Sequence, residues 1–214
     1  MRPRCEPADV GAADERFRQA IVDLCFEVGY EKLTLPMLLE RAALPEEDFH
    51  RCFDDLEDCF CRALEAHRDG FFADIQRAIA LAEPEGWADR LRAVAYGLLR
   101  YLQADPVRTH FLTVELSRAG ERATLIWTET IVKPLFDLID EGRTTASSEA
   151  ASLTRSTADA VGGGILLQIL TAVEKGNLEE GEQVVPQLMY SAVLHYLGPA
   201  AAEKELHAPP PPAA

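Results

Sequence analysis

The stretch "TLPMLLERAALPEEDFHRCFDD", Thr34–Asp55, decides the fold. Leu35, Leu38, Leu39 and Ala42 recur at spacings of three and four, so they share one face of a helix. Thr34 is a residue type that opens helices as an N-cap. Ala43-Leu44-Pro45 reads as a turn, with Pro45 suited to the first turn of a following helix, where its missing N–H costs nothing. That helix is expected over 46–52, with Phe49 and Phe53 facing inward. Upstream, "RFRQAIVDLCFEVGY" places Phe17, Ile21, Leu24, Cys25 and Val28 on one helical face, and Gly29 ends the helix as a C′ glycine does. Three short helices, the last two joined by a tight turn, are the anatomy of a helix-turn-helix unit.

The polar residues of the same stretch pull the other way. Glu46, Glu47, Asp48, Asp54 and Asp55 are acidic, and Arg51 is the one firm positive charge between Leu44 and Asp55. Carboxylates release no counterions and repel a phosphate backbone. Across less than a Debye length of about 8 Å, salt does not remove that repulsion. Acids in a first turn do complement the helix dipole, by ~0.3–1 kcal/mol each. Glu47 and Arg51 also stand four apart in the favourable order, so they are expected to pair.

Composition sets the wider frame. Of 214 residues, 48% are hydrophobic and 27% charged, an ordinary globular balance. The formal net charge of −15 argues against a broad basic surface for nucleic acid or an anionic membrane. Five cysteines, Cys5, Cys25, Cys52, Cys59 and Cys61, are odd in number and clustered early, which is not a disulfide framework. The start lacks the apolar stretch of a signal peptide. The longest apolar run, "AVGGGILLQILTAV", falls short of the ~20 residues that span a bilayer. These features imply a cytoplasmic, reduced, soluble protein with no membrane partner.

Helical periodicity continues to the end, with no convincing strand alternation, so the fold class is all-α with about nine helices. A long helix is expected over 56–82, broken by "AEPEGW", then helices over 87–104, from 106 to near Gly120, and on to near Gly142. "GRTTASSEA" is a polar loop, and helices over 149–175 and 181–197 follow. Residues 1–12 read as a flexible arm, 13–55 as the helix-turn-helix domain and 56–198 as a second helical domain. Residues 199–214, ending "HAPPPPAA", read as a disordered tail.

The pattern of Gly29-Tyr30, Thr34, Leu38, Ala42, Leu44, Phe49, Phe53, Glu57 and Phe60 resembles the amino-terminal domain of the TetR (tetracycline-repressor) family. The departures from the family's pattern fall on the groove-facing side, at Pro45, Glu46, Glu47, Asp48, His50, Cys52 and Leu56. The resemblance implies a homodimeric transcriptional regulator, a ligand-responsive repressor that binds a DNA operator. Its DNA-contacting candidates are Lys32, Thr34, Arg41, Glu46, Glu47, Asp48, His50 and Arg51, with Arg2 and Arg4 on the arm. It also implies a carboxy-terminal ligand-binding and dimerisation domain. Gly162, Gly163, Gly164, Leu167, Leu188 and Leu194 would lie on the dimer interface. A small apolar ligand would meet Tyr96, Tyr101, His110, Phe111, Trp127 and Phe136. The alternative is a member with a degenerate acidic recognition helix that no longer binds DNA and serves as a ligand- or protein-binding module.

Other chemistry finds no foothold. Cys59 and Cys61 lack zinc-ligand spacing and point apart on a helix, and Cys25 and Cys59 fall on core positions. There is no phosphate loop and no nucleophile elbow. No enzyme activity, cofactor or metal is expected.

Overall fold

A computed structural model describes residues 7–145 and 152–213. Among them every regular element is helical, in keeping with the all-α expectation. Arg2, Arg4 and Cys5 lie outside the described residues. The contacts divide the chain into two compact units.

The first unit comprises Met1–Arg68 and Val107–Thr128, so it extends beyond a boundary at residue 55. It holds α1 (Pro7–Val28), a 3-10 turn (Tyr30–Lys32), α2 (Leu35–Ala42), α3 (Glu46–Cys52) and the start of α4 (Leu56–Ala82). The later segment runs through α6 (Pro106–His110), a π turn (Phe111–Glu115), a 3-10 turn (Leu116–Arg118) and α7 (Glu121–Trp127). Phe17, Ile21, Leu38, Phe49, Phe60 and Leu64 are fully buried, as the apolar spacing requires. The Phe17 ring meets Phe49 edge-on at 5.4 Å and Phe53 at 6.1 Å. Aromatic pairs in this geometry add to plain burial.

The turns of the helix-turn-helix are built in detail. Gly29 takes φ +81° and its N–H closes on the Cys25 carbonyl, which ends α1. Ala43 holds the left-handed conformation at φ 50°, ψ 47°, while its N–H and that of Leu44 satisfy the last carbonyls of α2. That is a Schellman-type ending made without glycine. Thr34 stands at the N-cap position, but its hydroxyl makes no capping bond. Pro45 is the N-cap residue of α3 rather than its first helical residue, and its carbonyl accepts the Asp48 and Phe49 N–H groups.

The second unit comprises Asp69–Pro106 and Glu129–Ala214. It holds the rest of α4, α5 (Trp87–Ala104), a π turn (Thr128–Val132), α8 (Lys133–Asp140), α9 (Gly142–Thr145), α10 (Arg155–Lys175), a 3-10 turn (Leu178–Glu180), α11 (Gly181–Leu197) and α12 (Pro199–Glu205). Trp87, Tyr96, Leu99, Val185, Met189, Val193 and Tyr196 form its core. The expected polar loop after Asp140 starts instead as α9, because Gly142 lets the backbone press on Trp87 and Tyr196; a Cβ there would sit 2.5 Å from the indole. α10 starts at Arg155 rather than 149; residues 146–151 lie outside the described set.

The tail expected to be disordered is ordered through residue 213. Gly198 at φ +80° turns the chain and Pro199 starts α12. Ala202 is buried, and Glu205, only 5% exposed, takes two hydrogen bonds of 2.8 Å from Arg92. Arg100 then donates to the Pro211 and Pro212 carbonyls at 2.7 and 2.9 Å. Paired arginines on α5 supply what the tail lacks in apolar surface.

Candidate nucleic-acid interface

α2 and α3 present the candidate residues on a scaffold whose inner face is Leu38, Ala42, Phe49 and Phe53, all buried. Two arginines outside the motif hold it. Arg16 donates to the Ala42 carbonyl at 2.5 Å, capping the end of α2. Arg62 donates to the Cys52 carbonyl at 3.1 Å, reaches Asp14 at 2.8 Å and lies 5.2 Å from the Phe53 ring centre. Nothing local in the sequence marks either, since their targets are 26 and 10 residues away.

The exposed face is self-paired. Arg51 pairs with Asp48, one turn back, rather than with the Glu47 carboxylate that sequence order favours. Its Nε instead approaches the Glu47 backbone carbonyl at 3.4 Å. Residues three apart are neighbours on a helix surface, and Asp48 is less exposed than Glu47. His50 Nε2 lies 3.5 Å from Glu46 Oε1. Arg41 bonds Glu27, which raises the Arg41 pKa and lowers that of Glu27. Lys32 is exposed, with no ion pair among the described residues. Asp55 accepts the Asp58 N–H at 2.8 Å, and Asp58 accepts the Asp54 N–H at 3.3 Å and Arg122 at 3.0 Å, so these acids cap α4. Arg41 and Arg51 therefore each have a carboxylate to leave before they can meet a phosphate, whereas Lys32 has none among the described residues.

The six ligand-pocket candidates do not share one unit. Tyr96 and Tyr101 are buried in the second unit, Tyr101 against Phe71 at 5.2 Å, and Phe136 packs beneath Gly162. His110, Phe111 and Trp127 belong to the first, where Phe111 lies 4.3 Å from Phe60 and His110 meets Phe26 edge-on at 5.4 Å. A recess of about 310 Å³ in the second unit is lined by other residues, among them Trp87, Arg90 and Glu141.

The dimer candidates also divide. Gly162 is filled from inside: a Cβ would sit 2.6 Å from the Phe136 ring. Gly163 and Gly164 are exposed with nothing within 4 Å, and Leu167 is 65% exposed. Leu188 and Leu194 are half-buried. α10 is by length and composition able to cross a membrane, which the count of its uncharged run had set aside, and 11% of its apolar window is buried.

The thiols are quiet. Burial pushes the Cys25 and Cys59 pKa values far up, and that of Cys61 up to about 11. Among the described residues no three His, Cys, Asp or Glu side chains gather as metal ligands.

No family model matches the sequence, and no curated protein matches it. Solved structures do. The fatty acid degradation regulator FadR from Bacillus halodurans superposes with a TM-score of 0.68 at 15% identity, over 87% of this chain and 97% of that one. A TetR family transcription regulator from Marinobacter aquaeolei gives 0.64 at 12%, over 89% and 98%. RolR in complex with resorcinol gives 0.64 at 13%, over 98% and 100%. The fold is that of helix-turn-helix regulators with an all-helical second unit. More narrowly, it is the fold of TetR-type transcription regulators.

Proposed function

We propose that this chain is a TetR-type, DNA-binding transcriptional regulator, not an enzyme, that works inside the cell as a homodimer. The observation that carries the reading is the helix-turn-helix itself: an apolar skeleton of Leu38, Ala42, Phe49 and Phe53 that fixes α3 with its polar face outward. The likeness to regulators over nearly their whole length supports it.

The second copy is argued from α10. From Ala160 to Val173 it carries no charge, and Gly163, Gly164 and Leu167 face solvent in one chain. The whole helix is long enough to span a ~30 Å hydrocarbon core, but its uncharged run rises only about 21 Å. A like helix from a second copy suits it better, and the exposed glycines would let the backbones approach. Ligand responsiveness is proposed for the second unit, since RolR was solved holding resorcinol in the same fold. Ligand binding would act by favouring one conformation of the regulator over another.

DNA binding by this surface is weak and strongly salt-dependent, because Arg41 must exchange a carboxylate for a phosphate to engage, while Asp48 keeps Arg51 from doing so. Light scattering at micromolar concentration tests the dimer: a mass twice that of the chain is expected, and a monomer would refute it.

A further inference from the structure

Glu115 is fully buried, yet it is a carboxylate. Its Oε2 accepts the backbone N–H of Tyr30 at 2.6 Å. Its Oε1 accepts Arg118 at 2.6 Å and lies 3.1 Å from His110 Nε2. Tyr30 and Glu115 are 85 positions apart in the chain. Its charge also reaches Cys25 on α1, adding to burial in raising that thiol. A buried charge is expensive unless its oxygens are satisfied. Well-packed hydrophobic residues in place of the whole charged cluster would usually serve stability as well or better. Something other than stability explains a carboxylate here.

What it holds is the corner of the DNA-facing motif. Tyr30 opens the 3-10 turn between α1 and α2, directly after Gly29 at φ +81°, and Glu115 Oε2 is 3.7 Å from where a Gly29 Cβ would be. The orientation of that corner sets where α2, and then α3, leave α1. What carries Glu115 is a π turn, Phe111–Glu115. Such turns are rare and hold one residue more than an α turn. Converting it to regular helix rotates the following side chain by about 100°. That rotation takes the carboxylate away from Tyr30. The segment 107–128 belongs to the first unit but joins second-unit sequence at both ends.

We propose that Glu115 is the positioning residue of the helix-turn-helix, and that the π turn Phe111–Glu115 places its carboxylate so that residues 107–128 set the α1–α2 corner. Its consequence for DNA rests on the reading under Proposed function; its geometry does not. The test is amide hydrogen exchange by NMR on the full chain and on Glu115→Met, which keeps apolar volume and removes both carboxylate oxygens. The Tyr30 amide is expected to exchange at least tenfold faster in the variant, while α10 amides stay within twofold. A Tyr30 amide within twofold of wild type, or an equal acceleration throughout the first unit, would overturn the proposal. The wild type gives a check needing no variant: its Tyr30 amide is strongly protected, and exchange at the rate of an unstructured peptide would overturn the proposal equally. DNA affinity is expected to fall at least tenfold in Glu115→Met. If wild type binds no DNA yet Tyr30 responds as stated, the regulator reading fails and the positioning role stands.

Discussion

Replacing Asp48 by Asn should turn a self-paired recognition helix into a better DNA binder. Asp48 and Arg51 pair within one turn of α3, with side chains 18% and 47% exposed. A pair that open to water is worth ~0–1 kcal/mol, and the lost helix-dipole contact ~0.3–1 kcal/mol, so the fold survives the change. The gain lies in the bound state. Each freed arginine that reaches a phosphate releases about 0.9 of a counterion. At roughly 0.15 M salt that is about fivefold in affinity per contact, hence about 30-fold for two half-sites. The slope of log K against log salt should steepen by about 1.8. Fluorescence anisotropy with a labelled duplex from the protein's own promoter region, titrated between low and physiological salt, reads both numbers. If D48N binds with the wild-type affinity and slope, the Asp48–Arg51 pair does not restrain DNA binding and the electrostatic reasoning is wrong.

Four further outcomes are expected. Gly162→Ala should destabilise the chain by ~1–3 kcal/mol through overpacking on Phe136, read by thermal melting. Gly163→Ala and Gly164→Ala, which meet nothing within 4 Å, should each add ~1 kcal/mol of helix stability while weakening self-association in sedimentation equilibrium. Arg92→Ala leaves the Glu205 carboxylate buried and unpaired, so it should cost about 3 kcal/mol in a denaturant melt and expose α12 to proteolysis. With Cys5 and Cys52 replaced by Ser, the native protein should react with a thiol reagent at pH 8 only as fast as it unfolds, because burial disfavours the Cys25, Cys59 and Cys61 thiolates.

The apolar half of this protein was legible in its sequence. Phe17, Leu38, Phe49, Phe53 and Phe60 sit where period and spacing put them, because helical burial is a local code. Pairing among exposed charges was legible in kind and not in partner: Arg51 chose Asp48 over Glu47, a matter of side-chain reach within one turn. The tail was misread because its anchors, Arg92 and Arg100, lie more than 100 residues upstream. Glu115 went unnoticed for the same reason: a lone glutamate in "FLTVELSR" looks exposed until Tyr30, His110 and Arg118 are found around it. The glycine triplet was one motif in sequence and is two in space, Gly162 serving internal packing and its neighbours facing outward. Period predicts which face a residue shares, not what that face meets.

The central claim, that an acidic helix-turn-helix still binds DNA, is tested most directly by equilibrium binding of the wild-type chain to its own upstream DNA across a salt series. The account predicts a preferred site and a negative log–log slope, with affinity concentrated at low salt. No measurable binding at the lowest salt, or binding that is indifferent to salt, would contradict it.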